Sequence, residues 1–244
     1  MAVLPPGCPK SVMVFAAGRG ERMRPISEKL PKPLVEVAGK TLIDHCLDRF
    51  AADGVAWAVV NVHWLGDQII AHLAGRQRPE IIISDEREKL LDQGGGLKKA
   101  LPHLGPGPFF VCNTDAFWIE GPRSNLARLV EMFDPETMDA ALLVAASSVA
   151  VGAEDLGDFQ MDRNGWLSKR EPRSIAPFIY TGVGILKPEL LANIEDEVFG
   201  LAPLLFRAAD AGRLFGVRLD GLWLHVGRPE AIVEAEVAID RSTL

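Results

Sequence analysis

The residues with the clearest chemical potential lie close together near the start of the chain, directly after the apolar run at residues 12–16. Five basic side chains occur there with only two acids: Arg19, Arg22, Arg24, Lys29 and Lys32. Gly18 and Gly20 leave backbone amides open, so this loop can hold phosphate oxygens without bulky side chains in the way. The prolines on both sides of Lys32 fix its backbone, which suits a lysine that binds phosphate. We predict a polyphosphate site; the alternative is a solvated basic surface after a first strand.

Three further features could contribute to a ligand site. Asp115 follows the apolar run at residues 108–112, and an acid just past a central parallel strand lies where open α/β sheets bind ligands. A turn residue or a helix cap is the alternative for Asp115. His225 stands at a predicted strand end, where a structural histidine is the alternative. The three glycines at 94–96 precede the amphipathic stretch LKKALPHL, which predicts a loop entering a helix with free amides, or else a flexible linker.

These positions need a scaffold of alternating strands and helices. The first long helix begins after Thr41, because apolar residues recur on one face and Thr41 with Asp44 has the spacing of a capping box. Buried strands are predicted at 12–16, 56–62, 81–83, 108–112, 139–146, 183–186 and 214–219. Further helices are predicted at 67–74, 124–133, 188–192, 201–211 and from Pro229 onward. Residues 147–180 hold short alternating segments with turn signals, which predicts hairpin strands that form a lid.

Composition limits the classes of protein that the chain can belong to. Its 244 residues, 48% of them hydrophobic and 24% charged, fit one α/β domain over residues 1–244. A net charge of −7 disfavours general nucleic-acid binding, and no apolar stretch is long enough to cross a membrane. The first ten residues lack the features of a secretory signal. Three widely spaced cysteines argue against a disulfide framework or a zinc site and favour the cytoplasm.

Residues 18–34 resemble the signature of the sugar-1-phosphate nucleotidyltransferases, of the form GxGxRMxPxTxxxPKPL, with Ser27 in place of the threonine. The resemblance implies a Rossmann-like three-layer α/β sandwich of the nucleotide-diphospho-sugar transferase type. Such a fold has a mostly parallel, mixed central sheet and a small β-rich lid. It implies a nucleotide-binding half at 11–146 and a sugar-phosphate-binding half with the C-terminal helix at 147–244. A monomer or a small homo-oligomer is expected.

The resemblance also implies roles for individual residues. Arg22 and Lys32 would be catalytic, neutralising the phosphates of a nucleoside triphosphate during nucleotidyl transfer. The implied nucleotide-binding residues are Ala16, Ala17, Gly18, Arg19, Gly20, Glu21, Asp92, Gln93, Gly94, Gly95 and Asn113. The segments LGDF, KREP and YTGVGIL would line the sugar-phosphate pocket through Gly157, Asp158, Glu171, Thr181 and Gly182.

A divalent metal is implied at Asp115, whose segment NTDAFW is similar to the family's magnesium-binding segment. In many relatives a second metal ligand stands in W-x-D-x-G-T, but here that position is His225, and Arg228 replaces the threonine. A histidine nitrogen suits Mn²⁺ and other transition ions better than Mg²⁺. His225 could bind the metal directly or through water, donate to a phosphate, or mark a site with impaired catalysis.

The implied reaction joins a nucleoside triphosphate to a sugar 1-phosphate and releases pyrophosphate. The triple glycine is similar to that of uridylyltransferases acting on N-acetylmuramate 1-phosphate, which favours UTP, that sugar phosphate and a role in peptidoglycan recycling. Other substrates remain open: mannose, glucose or heptose phosphates, or choline phosphate. A non-catalytic binder of nucleotides or nucleotide sugars is a further alternative. A nicotinamide-dependent oxidoreductase is ranked last, because the glycines do not have GxGxxG spacing.

Overall fold

The structure of the protein is a computed structural model, which describes residues 8–153 and 156–242. Most of the first ten residues, which lack the features of a secretory signal, lie outside these ranges. The strands are β1 (Ser11–Phe15), β2 (Glu36–Val37), β3 (Lys40–Thr41), β4 (Trp57–Val62), β5 (Glu80–Asp85), β6 (Phe109–Asn113), β7 (Ala116–Glu120), β8 (Ala140–Ala146), β9 (Phe159–Met161), β10 (Leu167–Lys169), β11 (Phe178–Leu186), β12 (Leu214–Arg218) and β13 (Gly221–His225). The helices are α1 (Leu42–Ala52), α2 (Gly66–Leu73), α3 (Asp92–Leu104), α4 (Asn125–Met132), α5 (Ala202–Asp210) and α6 (Glu230–Ser242).

The central sheet is mixed, with neighbouring strands in the order β12-β8-β11-β6-β1-β4-β5. Strands β6, β1, β4 and β5 run parallel to one another, so their carboxyl ends meet at one edge of the sheet. Strand β11 runs antiparallel between β6 and β8. The hairpin β9–β10 is hydrogen-bonded to the same sheet through Phe178 of β11, on the side of β6. The β-rich segment is therefore placed beside the carboxyl end of β6.

Helices cover both faces of this sheet. Apolar residues of α1, α2 and α4 pack on one face, among them Ile43, Phe50 and Leu129. Apolar residues of α3 and α5 pack on the other, among them Leu97 and Leu204. This three-layer α/β arrangement confirms the predicted fold class. None of the helices in the described ranges is both long and apolar enough to span a lipid bilayer.

The start of α1 agrees with its predicted cap. The Thr41 hydroxyl accepts a hydrogen bond from the backbone N–H of Asp44 at 3.2 Å, which satisfies one of the free donors at the helix start. The predicted apolar face of α1, including Ile43, Leu47 and Phe50, is fully buried. Capping and packing thus fix the same boundary.

The prediction for the triple glycine was wrong in one respect. Gly94, Gly95 and Gly96 do not form a loop before α3 but lie inside its first turns. Three consecutive glycines are poor helix formers, each costing about 1 kcal/mol relative to alanine, so local preference argued for a loop. Tertiary packing overrides that preference, because all three glycines are buried against neighbouring segments.

A small two-stranded sheet lies apart from the main one. Strand β7 begins directly after Asp115, and it pairs antiparallel with β13, so that His225 is opposite Ala116. The backbone N–H of Val226 donates to the Asp115 carbonyl at 2.8 Å. This pairing brings the histidine, distant in sequence, beside the aspartate at the end of β6.

Candidate active site

A cavity of about 610 Å³ lies at the carboxyl ends of β1, β4, β5 and β6. Its lining includes many of the residues predicted to bind nucleotide or to act in catalysis: Ala16, Ala17, Gly18, Gly20, Glu21, Arg22, Lys32, Asp92, Gln93, Asn113 and Asp115. Other lining residues were not predicted: Phe15, Pro33, Asn61, Glu86, Leu90, Thr114, Val198 and Gly227. The basic loop, the start of α3 and the end of β6 therefore share one cleft. Arg19 is exposed and does not line it.

The basic loop is held in shape by short helical turns at Glu21–Met23, Ile26–Glu28 and Lys32–Leu34. Gly20 has a φ of +62°, and a Cβ there would lie 3.0 Å from the Cβ of Lys32 and 3.3 Å from that of Ser27. This glycine therefore permits a turn that ordinary side chains rarely adopt, and it also leaves room for the lysine. Met23 is fully buried beneath the loop. The loop is thus a fixed surface that presents Lys32.

Lys32 and Asp115 form an ion pair inside the cleft, with Lys32 Nζ 3.1 Å from Asp115 Oδ2. His225 Nε2 lies 3.6 Å from the same oxygen. Burial alone would raise the pKa of Asp115, but the interaction with His225 and the charge of Lys32 outweigh it and hold that pKa well below its usual range. Asp115 is therefore ionised throughout the neutral range.

The His225 ring has a defined position. It stacks on Trp223 with ring centroids 5.7 Å apart and planes 8° apart. A Cβ at Gly227 would lie 2.7 Å from the imidazole Cε1, so this glycine makes space for the ring. His225 Nδ1 is buried and has no hydrogen-bond partner among the described residues. The ring is wedged in place with one nitrogen directed to Asp115.

The metal-binding capacity of this cleft rests on few protein ligands. Within the described residues, no group of three or more His, Cys, Asp or Glu side chains is arranged to hold a metal. Asp115 Oδ1 makes no hydrogen bond or ion pair in these ranges, since Lys32 Nζ and His225 Nε2 both approach Oδ2. One or two carboxylates suffice for Mg²⁺ when substrate phosphates supply other oxygens. The donor set fits a metal shared with a phosphate ligand.

A buried polar pair supports the other end of the cleft. Asn61 Nδ2 donates to Glu86 Oε1 at 2.8 Å, and Asn61 Oδ1 accepts from the backbone N–H of Ala16 at 2.7 Å. Glu86 Oε2 accepts from the N–H of Leu91. Burial raises the pKa of Glu86, and hydrogen bonds from Asn61 and Leu91 only partly offset this. This network ties the start of the basic loop to the start of α3.

Sequence reasoning missed this pair, although each member left a signal. Asn61 is a polar residue inside an otherwise apolar strand run, and Glu86 directly follows β5. A Cβ on Gly96 would lie 2.5 Å from Glu86 Oε1 and 2.9 Å from Asn61 Nδ2. The third glycine is thus required because the pair occupies the space where a side chain would be.

A segment from the second half of the chain packs against Gly94 and Gly95. We call residues 194–200 the strap. A Cβ on Gly94 would lie 2.3 Å from the ring of Phe199, and a Cβ on Gly95 would lie 2.1 Å from the carbonyl oxygen of Glu197. The N–H of Gly95 donates to the Phe199 carbonyl, and Lys98 Nζ donates to the carbonyl of Ile194. The strap brings Val198 into the cavity wall, whereas Gly94 and Gly95 do not line the cavity.

Gln93 and Asn113 link α3 to the end of β6. Gln93 Nε2 donates to Asn113 Oδ1 at 2.9 Å. Gly182 of β11 lies directly under the Asn113 side chain, since a Cβ there would lie 2.6 Å from the asparagine Cβ. Gly182 has a φ of +85°, a conformation that glycine favours. The residue predicted to bind sugar thus supports one predicted to bind nucleotide.

Like Gly182, the other predicted sugar-binding residues do not line the cavity. The Thr181 hydroxyl is buried and donates to the Leu143 carbonyl. Asp158 Oδ2 accepts from the N–H of Tyr180, which fixes the start of β9 to β11. Gly157 packs against the Ala176 carbonyl, and Glu171 is exposed. All lie in or beside the hairpin segment, and their contact with a sugar stays a prediction.

The sequence matches the family model of the MobA-like NTP transferase domain over residues 12–218. It is 47% identical to N-acetylmuramate alpha-1-phosphate uridylyltransferase of Caulobacter vibrioides, over 95% of this chain and 97% of the relative. The protein of the same name from Neisseria meningitidis serogroup B is 35% identical, over 92% of this chain and 96% of the relative.

Solved structures have the same fold at low sequence identity. Apo UDP-glucose pyrophosphorylase gives a TM-score of 0.74 at 16% identity, covering 97% of this chain and all of that one. A putative glucose-1-phosphate thymidylyltransferase from Bacillus anthracis gives 0.79 at 14% identity, covering 93% of this chain and 94% of that one.

Proposed function

The chain belongs to the MobA-like NTP transferase family, and from that premise we propose that it transfers a uridylyl group from UTP to N-acetylmuramate 1-phosphate, forming a nucleotide sugar and pyrophosphate. The observation that carries this proposal is the Lys32–Asp115 pair in a cleft at the ends of parallel strands, beside a glycine-bearing basic loop. The choice of substrates rests on the full-length similarity to uridylyltransferases of that name.

The proposed chemistry is an in-line displacement at phosphorus. A phosphate oxygen of the sugar 1-phosphate attacks the α-phosphorus of UTP, and the bond from that phosphorus to the oxygen bridging the β-phosphate breaks. The electron pair leaves with pyrophosphate. A phosphate monoester is already ionised near neutral pH, so no general base is needed. Positioning and charge neutralisation are therefore what the protein must supply.

Arg22 and Lys32 line the cleft as cations suited to the departing pyrophosphate. Lys32 is pre-positioned by Gly20 behind it and Asp115 in front of it. The open backbone amides of the loop can hold further phosphate oxygens. The leaving charge would thus develop beside fixed donors, which need no reorganisation during the reaction.

Asp115, with His225 beside it, is the residue that would hold a divalent ion. Bound Mg²⁺, or Mn²⁺ given the histidine, would neutralise charge on the attacking and leaving phosphates. Asp115 offers Oδ1 for this purpose while Oδ2 is approached by Lys32 Nζ and His225 Nε2. The aspartate thus has one oxygen anchored and one available.

The experiment that tests this function is a matrix of four nucleoside triphosphates against a panel of sugar 1-phosphates, scored by pyrophosphate release. UTP with N-acetylmuramate 1-phosphate should give the highest kcat/KM. Lys32→Met and Asp115→Asn should each lower kcat by about 100-fold or more, the size found when one fixed electrostatic group is removed from an active site.

Lys10→Met and Asp67→Asn are matched controls, because both residues are exposed and lie outside the cleft. Near wild-type release by the Lys32 or Asp115 variant would contradict the assignment. Nucleotide binding without pyrophosphate release under any metal would favour a non-catalytic binding protein, a candidate kept because His225 replaces an aspartate. Preference for another sugar phosphate would correct the substrate alone.

The proposed setting is the cytoplasm, in the recycling of peptidoglycan sugars, with the protein acting as a monomer or a small homo-oligomer. The chain has three cysteines that are widely spaced in the sequence and include no CxxC pair, which supports a reducing compartment. Fractionation of cells and gel filtration of the purified protein test these two points.

A further inference from the structure

We propose that Gln93 is a positioning residue for the sugar 1-phosphate rather than a contact for the nucleobase, and that it acts by orienting the carboxamide of Asn113. The inference rests on the proposed function, since it assigns roles within the same cleft. It departs from the nucleotide-binding role expected for Gln93 and from the same role expected for Asn113.

The side chain of Gln93 is already engaged within the protein. Its Nε2 donates to Asn113 Oδ1 at 2.9 Å, across the cleft from α3 to the end of β6. Its backbone is fixed on both sides, because its N–H donates to Asp92 Oδ1 and the next two residues are packed against the strap. The glutamine is therefore held by its surroundings in a position where it meets the asparagine.

The carboxamide of Asn113 has little freedom to choose another position. Gly182 lies so close that an added Cβ would be 2.8 Å from the amide carbon and 2.9 Å from Nδ2. The bond from Gln93 fixes which end of the amide carries the oxygen. Nδ2 makes no hydrogen bond within the described residues, although Asn113 lines the cavity. The two N–H donors of Nδ2 have no protein acceptor in these residues and are therefore available to a ligand in the cavity.

The order of the strands indicates which ligand these donors meet. The basic loop follows β1. On one side of β1 lies the buried pair, with Asn61 on β4 and Glu86 directly after β5. Asn113 is on the other side of β1, where β6 meets β11. The hairpin β9–β10 lies next to this point, through its pairing at Phe178. Asn113 therefore stands on the side of the loop that faces the hairpin, the segment expected to bind the sugar.

The chemistry fits that position. A carboxamide N–H pair matches phosphate or hydroxyl oxygens, which a sugar 1-phosphate presents in number. If Gln93 were lost, the Asn113 amide could turn over and present an acceptor oxygen to the same anionic ligand. An acceptor facing a phosphate gives repulsion where there was a hydrogen bond. Gln93 would then govern sugar-phosphate affinity without touching it.

Kinetics with UTP and N-acetylmuramate 1-phosphate test this arrangement. Gln93→Met, which has no donor, should raise KM for the sugar phosphate about tenfold, the effect of one lost hydrogen bond to a charged group. Gln93→Glu, which sets an acceptor against Asn113 Oδ1, should raise it at least as much. Gln93→Lys, which keeps a donor, should stay within about threefold of wild type. KM for UTP should change less than about twofold throughout.

A double-mutant cycle adds a readout that a merely structural role would not produce. Asn113→Ala should match Gln93→Met in size, and the double variant should be no worse than Asn113→Ala alone, because Gln93 acts only through Asn113. Gln77→Met is the matched control, since Gln77 is exposed and distant from the cleft. Thermal melts show whether each variant is folded.

Three results would overturn the inference: a raised KM for UTP with that for the sugar phosphate unchanged, additive effects in the double variant, or no change in either KM. Failure of the proposed function has a different signature, namely no pyrophosphate release by the wild-type protein. Calorimetric titration of N-acetylmuramate 1-phosphate into wild type and Gln93→Met then decides the inference by itself, with equal affinities counting against it.

Discussion

Asp115 uses a single carboxylate oxygen for both of its nitrogen-bearing neighbours, Lys32 and His225. Lys32 Nζ and His225 Nε2 approach Oδ2 from two different elements, the basic loop and the end of β13. In the family pattern an aspartate stands where this chain has His225. A neutral or cationic ring beside Asp115 creates a less anionic site than two carboxylates would. Metal selection should therefore depend on this one residue.

His225→Asp tests this dependence. A second carboxylate would supply an oxygen ligand and remove the nitrogen, which should raise the rate with Mg²⁺ relative to Mn²⁺ by roughly tenfold, within the range seen for changes around metal sites. The measurement is pyrophosphate release across a concentration series of each ion. Trp223→Phe, which keeps an aromatic ring under position 225, serves as a control. Identical metal profiles before and after His225→Asp would remove His225 from the metal site.

Glu86 makes stability depend on pH in a direction that can be worked out. Its pKa is higher in the folded protein than in the unfolded chain, because burial disfavours the carboxylate. The folded state therefore binds this proton more tightly, and stability is lost as pH rises from the unfolded pKa through the folded one. Each unit of difference is worth about 1.4 kcal/mol.

Glu86→Gln removes this titration. Relative to wild type, the variant should gain stability progressively as pH rises above about 4.3, the ordinary glutamate value, and the gain should level off above the folded pKa. Denaturant unfolding of both proteins at several pH values measures the difference. Asp67→Asn is the control for a carboxyl group that is exposed. A stability difference that does not vary with pH would contradict the buried, protonation-favouring environment.

The sequence predicted the basic loop and Asp115 better than the buried Asn61–Glu86 pair. Arg22, Lys32 and Asp115 were predicted because they stand in segments that resemble the nucleotidyltransferase signature, and all three line the cavity. Asn61 and Glu86 were missed because each matters through its hydrogen bond to the other, which joins β4 to the end of β5. A pairing between distant residues has no signature in a single sequence.

At the scale of elements, α3 shows how packing decides local structure. Its first turns contain three glycines that helix propensity would reject. The neighbouring strap and the Asn61–Glu86 pair fill the places where side chains would otherwise be. The start of the helix therefore lies closer to its neighbours than side chains at positions 94–96 would allow. Sequence periodicity located the helix, but only the tertiary contacts show why it begins with glycine.

Gly95→Ala tests this close approach. The new Cβ would lie 2.1 Å from a backbone oxygen of the strap, which hydrogen bonds to Gly95 and Lys98 hold in place. We expect a loss of about 1–3 kcal/mol, as for other overpacked sites, and weaker nucleotide binding because the strap carries Val198 in the cavity wall. Denaturant unfolding and UTP titration measure the two effects.

Gly75→Ala is the matched control for this prediction. Nothing lies within 4 Å of the Cβ that it would add, and the position is exposed. Its stability should stay within about 0.5 kcal/mol of wild type. If Gly95→Ala were equally mild, the strap would be free to move away, and its contribution to the cavity wall would be small.

At the scale of the whole molecule, the two halves predicted from the sequence, residues 11–146 and 147–244, share one sheet. Strand β11, from the second half, lies between β6 and β8 of the first half, and β12 pairs with β8 at the edge. The predicted boundary at residue 146 therefore does not separate two folding units. The alternation of strands and helices along the sequence predicted an α/β fold. The insertion of β11 between earlier strands depends on long-range pairing, which sequence periodicity does not encode.

This arrangement predicts a single unfolding transition. Denaturant curves followed by far-ultraviolet circular dichroism and by tryptophan fluorescence should coincide, because neither half has a complete sheet alone. Trp118 and Trp223 are partners across β7–β13, so fluorescence reports on both halves. A fragment of residues 1–146 expressed alone should lack a cooperative transition. Two separated transitions in the intact chain would show that the halves fold independently.

The contact between Phe199 and Gly94 also constrains how such a chain can diverge. A ring fills the space that a side chain at position 94 would need, so neither position can change freely while the other stays as it is. Among descendants of this sequence, a substitution at position 94 should be accompanied by a smaller residue at position 199. Directed evolution that starts from Gly94→Ala should therefore recover fitness first through replacements of Phe199. Deep sequencing of the selected pool after each round would show the order in which the substitutions arise.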